Sequence, residues 1–341
     1  MAIVTRPQQT KMIQSSKEPF PYKREFINPD QIWDNAVQIE TQIKVIAPTK
    51  RWPSLPKNIK WVFQGKNVAV IYPTDVYDKV NILTDYFSED ARMQARRKNC
   101  PSPLEYYDAN YNRVVYKAQE LLQKDQSKPL RFHMREALYE LAQECTQFKI
   151  YTTKAIFKYL GSKVVLDPSA GWGDRLLGAA AAGVRVYHGV DPNTLLRQPY
   201  DNMIKFVNQK GIGENSNYTV VTDDFLKVDI DEEGYDTVFT SPPFFDYEIY
   251  SDDPKQSITG NPSVDTWLTN FFYPYLKKAW SALARGGYMV LYISDVPSGK
   301  FVNHMFRYVN NELKGNFKGI IGTTSVYLSY GYPLWIWQKH K

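Results

Sequence analysis

Residues 164–175 read Val-Val-Leu-Asp-Pro-Ser-Ala-Gly-Trp-Gly-Asp-Arg. A short apolar run, a turn holding Gly171 and Gly173, and the start of a helical period spell strand, loop and helix. In open parallel sheets, ligands sit beyond the carboxyl ends of the strands, where such loops lead into helices. Glycine lets backbone approach a ligand and admits φ > 0, and the following helix presents free N–H groups. The loop 167–173 is therefore a candidate ligand site, with Asp167, Ser169, Ala170, Gly171 and Gly173 as its contacts. A dinucleotide fingerprint would place a third glycine three residues after Gly173. Leu176 stands there, which argues against a nicotinamide oxidoreductase.

Outward from this loop, strands and helices alternate. Strands are expected at 163–167, 184–190, 218–222, 235–240 and 287–293, and helices at 174–182, 194–209, 265–283 and near 299–313. A long helix over 133–160 precedes them, and two β runs at 317–328 and 332–338 close the chain. Strands alternating with helices imply a mostly parallel sheet covered on both faces, and the last two runs, linked through a turn at 329–332, form an antiparallel hairpin. The second strand ends in Val-Tyr-His-Gly-Val-Asp (186–191), where the Asp191 carboxylate can accept both hydroxyl protons of a ribose.

The fourth strand, Tyr-Asp-Thr-Val-Phe-Thr (235–240), runs into Ser241-Pro242-Pro243-Phe244. Two consecutive prolines lack backbone donors and have φ fixed near −65°, so the corner projects carbonyls that no local N–H claims. The Ser241 hydroxyl and the Pro242 carbonyl could accept the hydrogens of an exocyclic base amine and draw its nitrogen toward tetrahedral geometry. Phe244 offers a flat face for an extruded base. Asp246, Tyr247 and Tyr250 follow on the next loop, where they could close over the base or cap what comes after.

Cofactor-type loop and proline corner, in this order on one α/β pattern, resemble the S-adenosylmethionine-dependent amino-methyltransferases of nucleic acids. Enzymes acting on cytosine N4 typically show Ser-Pro-Pro-aromatic, whereas adenine N6 enzymes more often show Asp or Asn before the prolines. The stretch 240–252, Thr-Ser-Pro-Pro-Phe-Phe-Asp-Tyr-Glu-Ile-Tyr-Ser-Asp, looks particularly like DNA methyltransferases of phages and large DNA viruses. The resemblance covers roughly 130–341, and 80–107 more loosely. It implies a Rossmann-like methyltransferase fold, α/β, with a mostly parallel seven-stranded sheet ending in a reversed strand. It also implies S-adenosylmethionine as cofactor and methyl transfer to a base amine in DNA, cytosine N4 favoured over adenine N6 or RNA. An inactive, nucleic-acid-binding subunit is the other reading. In the resembled family an acidic group at the end of the third strand meets the adenine amino group. Asp223 or Asp224 would take that place, with Phe225 packing on the ring.

Only about 60 residues separate the loop from the corner, which leaves no room for a recognition domain between them. Recognition is therefore expected from the N-terminal part: an extended arm or irregular subdomain at 1–55, an accessory region at 56–129 with a strand at 67–72, and a linker at 124–130. Within it Arg92, Arg96, Arg97 and Lys98 form a basic run, with Arg92 and Arg96 on one helical face, able to meet phosphates.

The 341 residues carry a net charge of +6 from 42 basic and 36 acidic side chains, compatible with a polyanionic partner without requiring one. Two cysteines exclude a disulfide framework and a CxxC metal pair, so no metal is expected. No apolar run approaches the roughly 20 residues of a membrane span, and residues 1–14 lack the apolar core of a secretory signal. An intracellular protein, cytoplasmic or nuclear, that does not contact membrane is the expectation.

Overall fold

The computed structural model describes residues 17–49, 52–53, 55–211 and 216–341; residues 1–16 of the expected N-terminal arm lie outside them. In chain order the elements are α1 (Pro29–Gln38), β1 (Gln42–Val45), β2 (Val68–Tyr72), α2 (Leu83–Gln94), β3 (Arg96–Arg97), α3 (Pro103–Ala109), α4 (Tyr111–Lys124), α5 (Leu130–Leu141) and α6 (Ile150–Leu160). The second half contributes β4 (Val164–Asp167), α7 (Asp174–Ala182), β5 (Val186–Val190), α8 (Arg197–Gln209), β6 (Asn217–Val221), β7 (Tyr235–Thr240), β8 (Glu248–Ile249), α9 (Val264–Trp267), α10 (Tyr273–Ala282), β9 (Leu283–Tyr292), α11 (Val302–Arg307), β10 (Asn316–Ser325) and β11 (Tyr332–Gln338).

Nine strands join in one sheet of order β1-β2-β10-β11-β9-β7-β4-β5-β6. From β6 to β9 every pairing is parallel, and β11 inserts antiparallel between β9 and β10. The seven strands from β6 to β10, with their single reversed member, have the order and polarity of the expected Rossmann-like methyltransferase fold. The strands are short and apolar because helices cover both faces: β4 and β7 read Val-Leu and Val-Phe at buried positions. One face packs Ile156, Leu176 and Tyr187 with α6, α7 and α8; the other packs Trp267, Leu276, Trp335 and Trp337 with α9, α10 and α11.

The N-terminal part supplies two further strands: β2 pairs parallel with β10 and β1 pairs with β2, which extends the sheet beyond seven strands. Two expectations change. The segment 124–130 is no domain linker, since it is the turn between α4 and α5, which pack on each other. The helix expected over 133–160 is two helices, α5 and α6, separated by extended chain at 142–149. That break carries neither glycine nor proline. It is held open by distant partners: Arg92 and Arg135 bond Glu144 at 2.6 Å each, and the Gln147 amide donates to Asp85 at 2.9 Å.

Among the described residues no helix is long and apolar enough to cross a membrane, and no group of three His, Cys, Asp or Glu could hold a metal ion.

Candidate active site

A cavity of about 440 Å³ opens over the carboxyl ends of the parallel strands. Both sequence motifs reach it. Ser169, Ala170 and Gly171 line one side, with Asp191 after β5 and Asp224 and Phe225 after β6; Ser241, Pro243 and Phe244 line the wall after β7.

The loop after β4 owes its shape to a buried ion pair. Asp167, fully enclosed, accepts from Arg175 Nε at 2.7 Å and from the Tyr187 hydroxyl at 2.6 Å. Its carboxylate is thus engaged inside the protein and, unlike the expected loop contacts Ser169, Ala170 and Gly171, does not line the cavity. Gly171, at φ +59°, needs its freedom for the backbone turn, since a Cβ there would meet nothing closer than 3.9 Å. Gly173 answers to packing as well: at φ +97° a Cβ would lie 2.4 Å from Met203 Sδ on α8. Helix α8, not a ligand, occupies the space which that glycine leaves.

Asp191 does face the cavity. Its two oxygens accept from Gly171 N at 2.8 Å and Asn193 N at 3.0 Å, leaving lone pairs for a ligand. Burial pushes its carboxyl up to about 6. Asp174, at the start of α7, is likewise pushed up by burial, to about 7, while accepting the Thr84 hydroxyl at 2.7 Å. Of the two acids after β6, Asp224 is in the wall. Asp223 turns outward to Lys255 at 2.9 Å. Phe225 is buried, 5.2 Å from Tyr275.

Tyr275, on α10, was invisible to sequence reasoning. Its hydroxyl bonds Ser169 Oγ at 2.8 Å and Thr240 Oγ1 at 3.0 Å. One phenol therefore ties the glycine loop to the residue that precedes Ser241. Pro242 is buried behind the wall, and Phe245, at φ +55°, closes the corner with its ring 6.0 Å from Trp267. A bulky residue held in the left-handed region stores strain, and the packed tryptophan holds it there.

The basic run divides. Arg92 is buried, with Arg92 Nη2 2.6 Å from Asp85 and Nη1 2.6 Å from Glu144. Both ends of its guanidinium are taken by these two buried carboxylates, so it is not presented at the surface. Arg96 and Arg97 form β3, which pairs antiparallel with β8, the continuation of the corner loop. Each remaining cation meets an acid of that loop: Arg96 with Asp252 at 3.5 Å, Arg97 with Glu248 at 3.4 Å, Lys98 with Asp246 at 3.8 Å. Arg97 also lies over Tyr247, 5.2 Å from the ring centre, and lines the cavity. The run thus braces the loop beyond the corner. Asp246, bonded to Ser298, stays outside the wall. Tyr250 packs edge-on to Trp172, 5.8 Å away, so it meets the glycine loop; Trp172 itself is buried and donates to Thr146 O at 3.0 Å.

No protein-family model and no curated protein matches the sequence. Among solved structures, the chain is similar to a tRNA (m1A58) methyltransferase from Aquifex aeolicus (14% identity, 55% of this chain and 68% of that one, TM-score 0.33). It is similar to an S-adenosylmethionine-dependent O-methyltransferase from Thermotoga maritima (14%, 58% and 68%, TM-score 0.38). A third is a 1,6-didemethyltoxoflavin-N1-methyltransferase from Burkholderia thailandensis (15%, 68% and 90%, TM-score 0.38). The functional reading rests on the cavity itself.

Proposed function

We propose that this protein transfers a methyl group from S-adenosylmethionine to an exocyclic amine of a base in nucleic acid, with cytosine N4 in DNA the favoured acceptor. The observation that carries the reading is the Ser169–Tyr275–Thr240 bridge, which holds a nucleoside-type half-site and Ser241, Pro243 and Phe244 of the proline corner on facing walls of one cavity. The residues suit the cofactor. Asp191 offers desolvated acceptor positions to ribose hydroxyls, Asp224 an acceptor to the adenine amine, and Phe225 a flat neighbour to the ring. When bound, S-adenosylmethionine supplies an electrophilic methyl group on a sulfonium.

The rest falls to this chain's own groups. Ser241, facing the cavity, accepts a hydrogen of the base amine. The other is left to a carbonyl of the corner, since neither proline offers a backbone N–H to compete. Both bonds strengthen as the nitrogen becomes tetrahedral, so they favour the transition state over the ground state. Phe244 stacks the base, and the aromatic wall excludes water. Held this way, the amine nitrogen would present its lone pair to the methyl supplied from the cofactor half-site, and the amine proton would pass to solvent when the product leaves.

Incubation of the full chain with labelled S-adenosylmethionine and DNA, RNA or protein, followed by mass spectrometry of the product, tests this. Label is expected on N4 of cytosine in DNA. Label confined to protein or to a base carbon overturns the reading. Phe244→Ala should weaken base stacking by about 1–3 kcal/mol while cofactor affinity holds. Tyr275→Phe should lower the turnover rate by roughly tenfold, more than it lowers affinity for either ligand, because it loosens one wall against the other. Single-turnover rates beside calorimetric cofactor affinity measure both. Parallel loss of rate and cofactor affinity in Phe244→Ala would make the corner a folding element.

A further inference from the structure

Four cations line the cavity: Arg97, Lys149, Arg175 and Lys255. Three have carboxylate partners, Glu248, Asp167 and Asp223. Among the described residues Lys149 has none. Its ammonium lies over the Tyr72 ring, 3.5 Å from the centroid, a contact that offsets only part of the lost hydration. Burial lowers its pKa to about 8, and among the described residues it is the one cation of the wall without a carboxylate partner.

Its location says which ligand could. Tyr72 ends β2, five places along the sheet from β4, whose loop begins the cofactor half-site. At about 4.8 Å per strand this is on the order of 20 Å. The corner lies between them. Rings lead from the corner toward this end and out: Phe244 to Tyr292 at 6.3 Å, Tyr292 to Tyr332 at 6.0 Å, Tyr332 to Tyr330 at 5.6 Å. Tyr292 is half-buried, Tyr332 is 38% exposed and Tyr330 55%. Below them, Thr152 and Thr323 share a hydroxyl–hydroxyl bond of 3.2 Å. That bond uses one of two hydroxyl hydrogens and leaves the other to donate.

We propose that this far end of the cavity is a second substrate subsite, in which Lys149 pairs with a phosphate flanking the target base while Tyr332 and Tyr330 stack the neighbouring bases of a single strand. The inference rests on the nucleic-acid reading above and adds to it where the strand runs. An ammonium plus a hydroxyl donor is phosphate chemistry, and a ladder of π faces accepts any base sequence. The subsite also supplies what the basic run at 96–98 lacks, a cation that no protein acid neutralises.

The test uses the full chain and a single-stranded DNA of about ten nucleotides with one central cytosine. A second probe carries neutral methylphosphonates on either side of that cytosine. Lys149→Met should weaken the charged strand about tenfold and the neutral one hardly at all, because the phosphate and the ammonium form one interaction. Tyr332→Ala should weaken both strands alike. Cofactor affinity of Lys149→Met close to that of the parent checks that the variant is folded. Equal loss on both probes, or no loss on either, overturns the subsite while leaving the methyl-transfer reading in place. Binding of the cofactor without binding of either strand overturns the nucleic-acid reading and the subsite with it.

Discussion

Arg175 and Lys149 face the same cavity from opposite ends, and their surroundings differ in everything that sets the cost of a buried charge. Arg175 meets Asp167, with the Tyr187 hydroxyl on the same carboxylate; its guanidinium also donates to Ser169 O. The charges there are satisfied before any ligand arrives, and the loop they hold is rigid. Lys149 has an aromatic ring and solvent-poor walls. The first arrangement serves shape; the second leaves free energy to be gained on binding.

Breaking the satisfied end should cost most. Arg175→Leu strands the fully buried Asp167 carboxylate, so global stability should drop by about 3–5 kcal/mol, read as a lower denaturation midpoint with unchanged slope. A loss under about 1 kcal/mol would mean that Asp167 protonates or finds another donor.

Next in size is Asp191, which belongs to the same end but keeps acceptor capacity for a ligand. Asp191→Ala should cost roughly 1–3 kcal/mol of cofactor affinity by leaving ribose hydroxyls unpaired. Its pH dependence follows from the carboxyl raised to about 6. As pH falls from 6 toward 4 the folded chain takes up this proton before the unfolded chain does, so acidification relieves a cost to stability. Hydroxyl donors require the ionised form, so cofactor affinity should fall as pH drops through about 6. Calorimetric titrations between pH 5 and pH 8, near the group's midpoint, should show that fall in the parent. Asp191→Asn should flatten it.

The smallest effect is also the most diagnostic of the contrast. Lys149→Met removes a charge that the free protein does not match, so the variant should be more stable by about 1 kcal/mol at pH 7. A folded-state pKa depressed to about 8 puts that gain below pH 8 and makes it fade as pH rises toward 10.5, where the unfolded lysine also loses its proton. Thermal melts at neutral and alkaline pH measure it. Destabilisation instead would mean that the Tyr72 contact outweighs desolvation, and the two ends would be alike.

What could be read from the chain divides along the same lines. Periods of two and 3.6 located β4 to β7 and β9 to β11 because each buries a face, and burial writes itself into local pattern. The glycine loop, Asp191 and the proline corner stood out because backbone constraint and strand-end position are local too. Arg92 shows the limit: its i, i+4 relation to Arg96 is a helical fact, but α2 stops at Gln94, and a carboxylate over 50 residues away, Glu144, decides that Arg92 points inward. Tyr275, Lys149 and Tyr292 carried no local signal at all. They enter the cavity because the sheet order brings α10, the start of α6 and the end of β9 to one place. The role of the N-terminal strands was hidden likewise, since β1 reads Gln-Ile-Lys-Val, a weak alternation that gains meaning only from its partner β2.

The parallel pairing of β2 with β10 sets Val68 beside Ile321. A ribosome releases the first strand long before the second: roughly 250 residues at about 5–20 residues per second is on the order of ten seconds or more. Through that interval β2 has only β1 for company and an open edge on its other side. Tyr332, on the strand that follows β10, emerges later still. The cavity wall on that side is therefore closed late in translation, and a transcript cut short before residue 316 should yield the glycine loop without the wall that Thr323 and Tyr332 supply.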